Sequence, residues 1–227
     1  MRRLIPTPSI LLALALVGGL VDAASYLGLG QVFTANMTGN TVLLAVDAVR
    51  GNGADAARSG VALGGFCLGV ALGALLVRRG DHSWPWHASR TLALETAALA
   101  VLIGWWAASG GNPRFGLVAV SAVAMGCQSA AVRVSHTAGV NTTYVTGTLT
   151  SAIVRFVTSE VRGIPESRRG PTLPGAAVVL YALGALGGGF AERAWHAGAI
   201  GAPLAISCIV SVVALSRRPA SARPVEG

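Results

Sequence analysis

Long uncharged apolar runs, separated by short polar connections, dominate the chain. The runs at 60–77, 96–113, 115–132, 171–191 and 194–216 are each 18 residues or longer. A helix that crosses a hydrocarbon core of about 30 Å needs about 20 mostly apolar residues. Five such runs exclude a set of soluble core helices. An earlier run, 10–21, follows Met1-Arg2-Arg3 and leads into Val21-Asp22-Ala23, the outline of a secretory leader. A similar stretch recurs later, where no leader can stand, so the run is expected to stay as a span.

That recurrence has a register. Shifted by 108 residues, 18–39 meets 126–147 without a gap, with identities at Gly18/Gly126, Ala23/Ala131, Val32/Val140, Thr34/Thr142, Thr38/Thr146 and Gly39/Gly147. Each copy has an apolar helix, a polar Gly/Thr/Asn connection, a short helix opening on Thr-Gly, then long spans. Gly69 and Gly73 correspond to Gly184 and Gly188 after an insertion of about seven residues holding Glu166, Arg168 and Arg169. Internal repeats are a common construction of transporters. The reading is one membrane domain over 1–227, with halves at about 1–111 and 112–218 and a tail at 219–227.

The two Thr-Gly helices stand apart from the other elements. The first, 38–49, is about 18 Å long at 1.5 Å per residue, too short to cross. The second, 146–161, is longer but carries Arg155 and Glu160. Each follows a stretch poor in helix formers, 28–34 and 136–143. Irregular backbone at membrane depth is tolerated only where protein or a wet cavity surrounds it. The pattern therefore predicts an all-α bundle of six long spans with two broken or re-entrant half-helices and inverted halves; eight full spans in parallel repeats are the alternative.

Arginine placement fits both versions. With six spans, twelve arginines fall inside and Arg50, Arg58, Arg114 and Arg193 outside; with eight, the split is eleven to five. Either way the positive-inside rule puts both termini in the cytoplasm. All 17 basic residues are Arg, and the net charge of +8 raises nucleic acid as a partner. The arginines stand singly or in pairs at the ends of apolar runs, so nucleic-acid binding is set aside. The chain is 53% hydrophobic and 11% charged with a mean hydropathy of +0.63, well below the roughly 25% charge of soluble domains. Cys67, Cys127 and Cys208 lie far apart in apolar runs and fit neither a disulfide framework nor a metal knuckle.

The blocks Gly19-Leu20-Val21-Asp22-Ala23-Ala24-Ser25-Tyr26-Leu27, Val32-Phe33-Thr34-Ala35-Asn36-Met37-Thr38-Gly39-Asn40 and Asn141-Thr142-Thr143-Tyr144-Val145-Thr146-Gly147-Thr148 resemble the YoaK-like family of uncharacterised bacterial membrane proteins. The resemblance covers nearly the whole chain. It implies a bacterial inner (plasma) membrane location and a single domain, and brings no substrate, cofactor or catalytic residue.

Candidate chemistry must come from the residues. The first N–H groups of a helix lack partners, and the dipole adds roughly half a positive charge there, so a helix start at membrane depth attracts an anion or carboxylate. Asn36, Thr38, Gly39 and Asn40 at the first Thr-Gly start, and Thr142, Thr146, Gly147 and Thr148 at the second, are the candidate solute site. The two starts would face each other near mid-membrane. The competing reading is that these small residues only let helices pack closely. Asp22, an acid in an apolar run, is a candidate coupling site or an arginine partner. Asp47 and Arg155, at equivalent places, are a candidate gating pair or two interfacial side chains that reach water. Glu95 reads as a residue near the end of its span, and Arg133 as a possible anion partner or an end arginine.

Other motifs fall short. Asp81, His82 and His87 lack a metal-ligand context. The glycine-dense stretches have no Lys and no strand for a phosphate loop, and the five tryptophans read as interface anchors. The expectation is a transporter or channel for a small polar, anionic solute, with no cofactor and no enzymatic activity. The lipid bilayer and the solute are its partners, and homo-oligomerisation stays open. A membrane-embedded enzyme on lipid-linked substrates, with His136 as its base, and a non-transporting membrane partner are the alternatives.

Overall fold

The computed structural model describes residues 7–77, 88–112, 114–133, 145–161 and 173–216, side chains excepted at 7, 155 and 159–161. Every regular element among them is helical. In order they are α1 (Thr7–Gly28), α2 (Met37–Val49), α3 (Gly53–Val77), α4 (Ser89–Ser109), α5 (Arg114–Arg133), α6 (Val145–Val161), α7 (Leu173–Trp195) and α8 (Gly201–Ser216), with a 3-10 turn at His196–Ile200 before α8. Five stretches are long and apolar enough to cross a membrane. The last, Leu173–Ser216, has 44 residues; that is about 66 Å of helix, twice a hydrocarbon core. The chain breaks it at His196, whose φ is 47°, so α7 and α8 are separate passes of a polytopic helical membrane bundle.

Two apolar clusters mark the ends of the bundle and give each helix its direction. One joins Leu14 of α1, Leu92 of α4, Val132 of α5, Ala177 of α7 and Ala214 of α8. It holds the first turns of α1, α4 and α7 and the last turns of α5 and α8, so it is the terminal end. The other joins Ala24 of α1, Val32 and Ala35 beyond it, Ala62 of α3, Trp106 of α4, Leu117 of α5 and Ile200. Gly73, late in α3, sits back at the terminal end against Thr91 and Ala130. Thus α1, α4 and α7 leave the terminal end, while α3, α5 and α8 return to it. α1 arrives at the far end and α3 departs from it, so α2 between them does not cross. α6 likewise stands between the arrival of α5 and the departure of α7 at the terminal end. The described helices pass through the bundle six times, and the eight-span alternative does not fit them.

Close helix approach rests on glycine. α1 packs along α7, and α3 along α5. A β-carbon at Gly19 would collide with the Tyr181 carbonyl and lie 2.8 Å from the Ala185 nitrogen. At Gly126 it would collide with the Phe66 carbonyl and lie 2.8 Å from the Val70 nitrogen. Gly184 and Gly69 make the reciprocal approaches, to the Leu16 and Val123 carbonyls. Gly126 thus makes on α3 the kind of backbone approach that Gly19, 107 positions earlier, makes on α7.

Candidate functional site

The densest polar knot of the described residues lies where α1 gives way to α2. α1 closes with the Gln31 N–H on the Tyr26 carbonyl at 2.9 Å. Gly30 takes the left-handed conformation this closure needs, with φ 98°. The chain then folds back along α1 to Asp22, which lies six residues, or about 9 Å, inside the helix end. Asp22 Oδ1 accepts the backbone N–H groups of Thr34 at 2.8 Å and Ala35 at 2.7 Å. Its Oδ2 accepts the Tyr181 hydroxyl of α7. The Thr34 hydroxyl meets Ser25 at 3.1 Å and Ser121 of α5 at 2.9 Å. All four of Asp22, Ser25, Thr34 and Ser121 are buried.

The start of α2 is held by its own asparagines. Asn40, fully buried, takes the Phe33 N–H on Oδ1 at 3.0 Å and gives its amide to the Phe33 carbonyl at 2.5 Å. Asn36 caps the helix by accepting the Gly39 N–H at 3.3 Å. Phe33 stacks on Tyr26 with ring centres 4.9 Å apart, and a β-carbon at Gly39 would lie 3.0 Å from the Phe33 ring. Thr38 alone of the predicted group at this start turns an exposed side chain outward. The positive end of α2 therefore points into the bundle beside a carboxylate that the chain itself supplies.

At the second start Thr146 is exposed, Gly147 half-buried and Thr148 buried. The Gly147 carbonyl accepts the Ser151 hydroxyl at 2.8 Å. Thr142 lies outside the described residues, as do Asn141, His136, Asp81, His82 and His87. α2 packs on α3 and α6 on α7, and the two half-helices do not touch. The expected Asp47–Arg155 pair falls partly outside the described residues. Asp47 is half-buried, and its carbonyl takes the Asn52 N–H at 2.9 Å to close α2; the Arg155 side chain lies outside the described set.

Glu95 lies near the start of α4, as its sequence position suggests, and is buried there. It is fully buried between α4 and α8, and its Oε1 accepts the Ser207 hydroxyl at 2.9 Å. Its signal was spacing: Leu92, Glu95, Leu99, Leu102 and Trp106 form one buried stripe of α4, a helical period with a carboxyl in it. Counting from Arg90 hides this, because the buried face of α4 begins at Ser89.

A cavity of about 350 Å³ opens at the far end, lined by Trp106, Asn112, Arg114, Glu192, Trp195 and His196. Glu192 is buried and its Oε1 lies 3.2 Å from His196 Nδ1. None of the predicted solute-site residues that are described reaches this cavity; its tryptophans and Arg114 read in sequence only as span ends. Among the described residues no three His, Cys, Asp or Glu side chains gather as a metal site, and Cys67, Cys127 and Cys208 carry no disulfide.

Residues 10–213 match a family described as a protein of unknown function, DUF1275. The chain is 33% identical over 182 residues to the UPF0700 transmembrane protein YoaK of Bacillus subtilis (strain 168), spanning 78% of this chain and 80% of that relative. No solved structure matches.

Proposed function

The chain belongs to the DUF1275 family of membrane proteins, and we propose that it is a transporter or channel for a small polar, anionic solute rather than an enzyme. Its halves are read as an inverted internal repeat, in which α1 to α4 correspond to α5 to α8. The exchange of partners supports this: α1 on α7 mirrors α5 on α3, and α2 on α3 mirrors α6 on α7. Inverted repeats with broken helices are a construction that places solute sites at half-helix starts. By the arginine distribution the terminal end faces the cytoplasm and the membrane is the bacterial plasma (inner) membrane.

One observation carries the solute reading. Asp22 holds the Thr34 and Ala35 N–H groups of the turn that leads into α2, whereas the position in α5 107 residues on is Ser129. The first half supplies its own carboxylate; the second lacks one. The solute is assigned to the start of α6, with Thr146, Gly147 and Thr148 as its contacts, and Thr38 on α2 is not required.

A thermal-shift panel of small anions, carboxylates and neutral metabolites on the purified protein tests this. A ligand at a hundredfold excess over its Kd adds about 2.7 kcal/mol of apparent stability. The expected result is an anion that stabilises the wild type and Thr38→Val but not Thr146→Val, and that enters proteoliposomes. Stabilisation that needs Thr38 and ignores Thr146 contradicts the assignment. A second reading has its own support: the polar groups of the α1–α2 knot pair with one another, as in a non-transporting membrane partner. No ligand and no flux across the panel favours it.

A further inference from the structure

Among the described residues three carboxyls are buried: Glu192 lies at the far end beside His196, and the other two, Asp22 and Glu95, are treated differently. Asp22 has both oxygens engaged by three donors from two parts of the chain. Glu95 has one oxygen on the Ser207 hydroxyl, and its Oε2 is buried with no partner. Among the described residues the surroundings offer no compensating charge. From α8 come Ser207 and Ser211, and from α5 the Cys127 thiol, bonded to the Gly69 carbonyl, and the Gln128 amide, which donates to Leu14. α3 meets α4 through the Gly73 carbonyl and Thr91. Arg90, on α4 itself, is exposed, and His196 of the 3-10 turn is exposed beside Glu192.

An ionised carboxylate with one hydroxyl donor at this depth is costly. A hard metal ion would need about six oxygens, yet the Thr96 hydroxyl is turned to the Leu92 carbonyl and Ser211. A proton needs only Oε2. The place also matters. α4 and α8 close the two halves and pack antiparallel, Leu92 beside Val210 and Ala214 and Glu95 beside Ser207. Movement of one half against the other shears this contact.

We propose that Glu95 is a proton-binding site at the α4–α8 contact, which takes a proton from water onto Oε2 and returns it when the two helices part. No other bond changes. This deepens the transport reading and rests on it for its use: Glu95, not the fully engaged Asp22, couples protons to movement.

The test uses the full-length protein in lipid nanodiscs with dicyclohexylcarbodiimide, which modifies protonated carboxyls in apolar sites, and maps the product by peptide mass spectrometry. The expected result is modification of Glu95 that falls about tenfold per pH unit above its midpoint and persists in Asp22→Asn. No modification at any pH, or modification that ignores pH, overturns the proton site. Protection by sodium overturns its assignment to the proton in favour of a metal cation. Flux through proteoliposomes separates the two readings. Titrating modification with no flux of any panel solute supports the proton site and sinks transport. Flux driven equally by a pH gradient in wild type and Glu95→Gln sinks the coupling and leaves transport standing.

Discussion

Asp22 does at residue scale what a ligand does in many half-helix sites: it supplies negative charge to backbone N–H groups that point into the membrane. Replacing it with Ala strands the Thr34 and Ala35 N–H groups and the Tyr181 hydroxyl without their acceptor. A buried unsatisfied group costs about 1–3 kcal/mol, so Asp22→Ala is expected to lose several kcal/mol of stability. Tyr181→Phe, which removes one donor and leaves the other two in place, is expected to lose about 1.5–3 kcal/mol. Denaturant or thermal unfolding in the same detergent measures both. Equal, negligible losses would mean that the carboxylate holds nothing. The sequence showed Asp22 as an acid in a span, read as a coupling site or an arginine partner. Its partners were invisible there because they are backbone groups twelve and thirteen residues on and a tyrosine from the other half. Asn36 and Asn40 were read as ligand contacts for a related reason: an amide that binds a solute and one that ties its own chain have the same composition, and only the fold-back of 32–36 separates them.

At the scale of the elements, glycine placement sets how near the helices come. Gly19 and Gly126 each face a carbonyl of the neighbouring helix, while Gly60 and Gly64 of α3 face open space. Gly126→Ala is expected to push α5 off α3 and destabilise by about 1–3 kcal/mol or more, as overpacking does. Gly64→Ala, free of contact, is expected to be neutral or to gain up to about 1 kcal/mol from helix propensity. Unfolding midpoints compare the two, and a reversed order would show that these glycines are not packing positions. The long spans were legible because a run of 18 uncharged residues has one physical meaning. The first half-helix was legible from its length, and the second from the charges it carries. The burial of Glu95 was not, since nearness to the end of a span does not show which face of the helix packs.

The whole molecule is governed by direction. Apolar composition alone allowed six or eight passes, and arginine counts could not separate them, because both arrangements leave most arginines on one side. The tertiary contacts do separate them: α1 runs against α5, with Gln128 at Leu14 and Ser121 at Ser25, and α4 runs against α8. Among the described helices α2 begins and ends at the same end of the bundle. That geometry underlies the transport proposal, the solute assignment to α6 and the role given to the α4–α8 contact. Single cysteines test it most directly, placed at Gln31 before α2 and at Asn52 after it, both exposed, in a background with Cys67, Cys127 and Cys208 replaced. Labelling of intact cells with a membrane-impermeant maleimide is expected to reach both positions from outside. Labelling of one and not the other, with the second reached only after the cells are opened, would make α2 a crossing helix and contradict the inverted six-pass architecture.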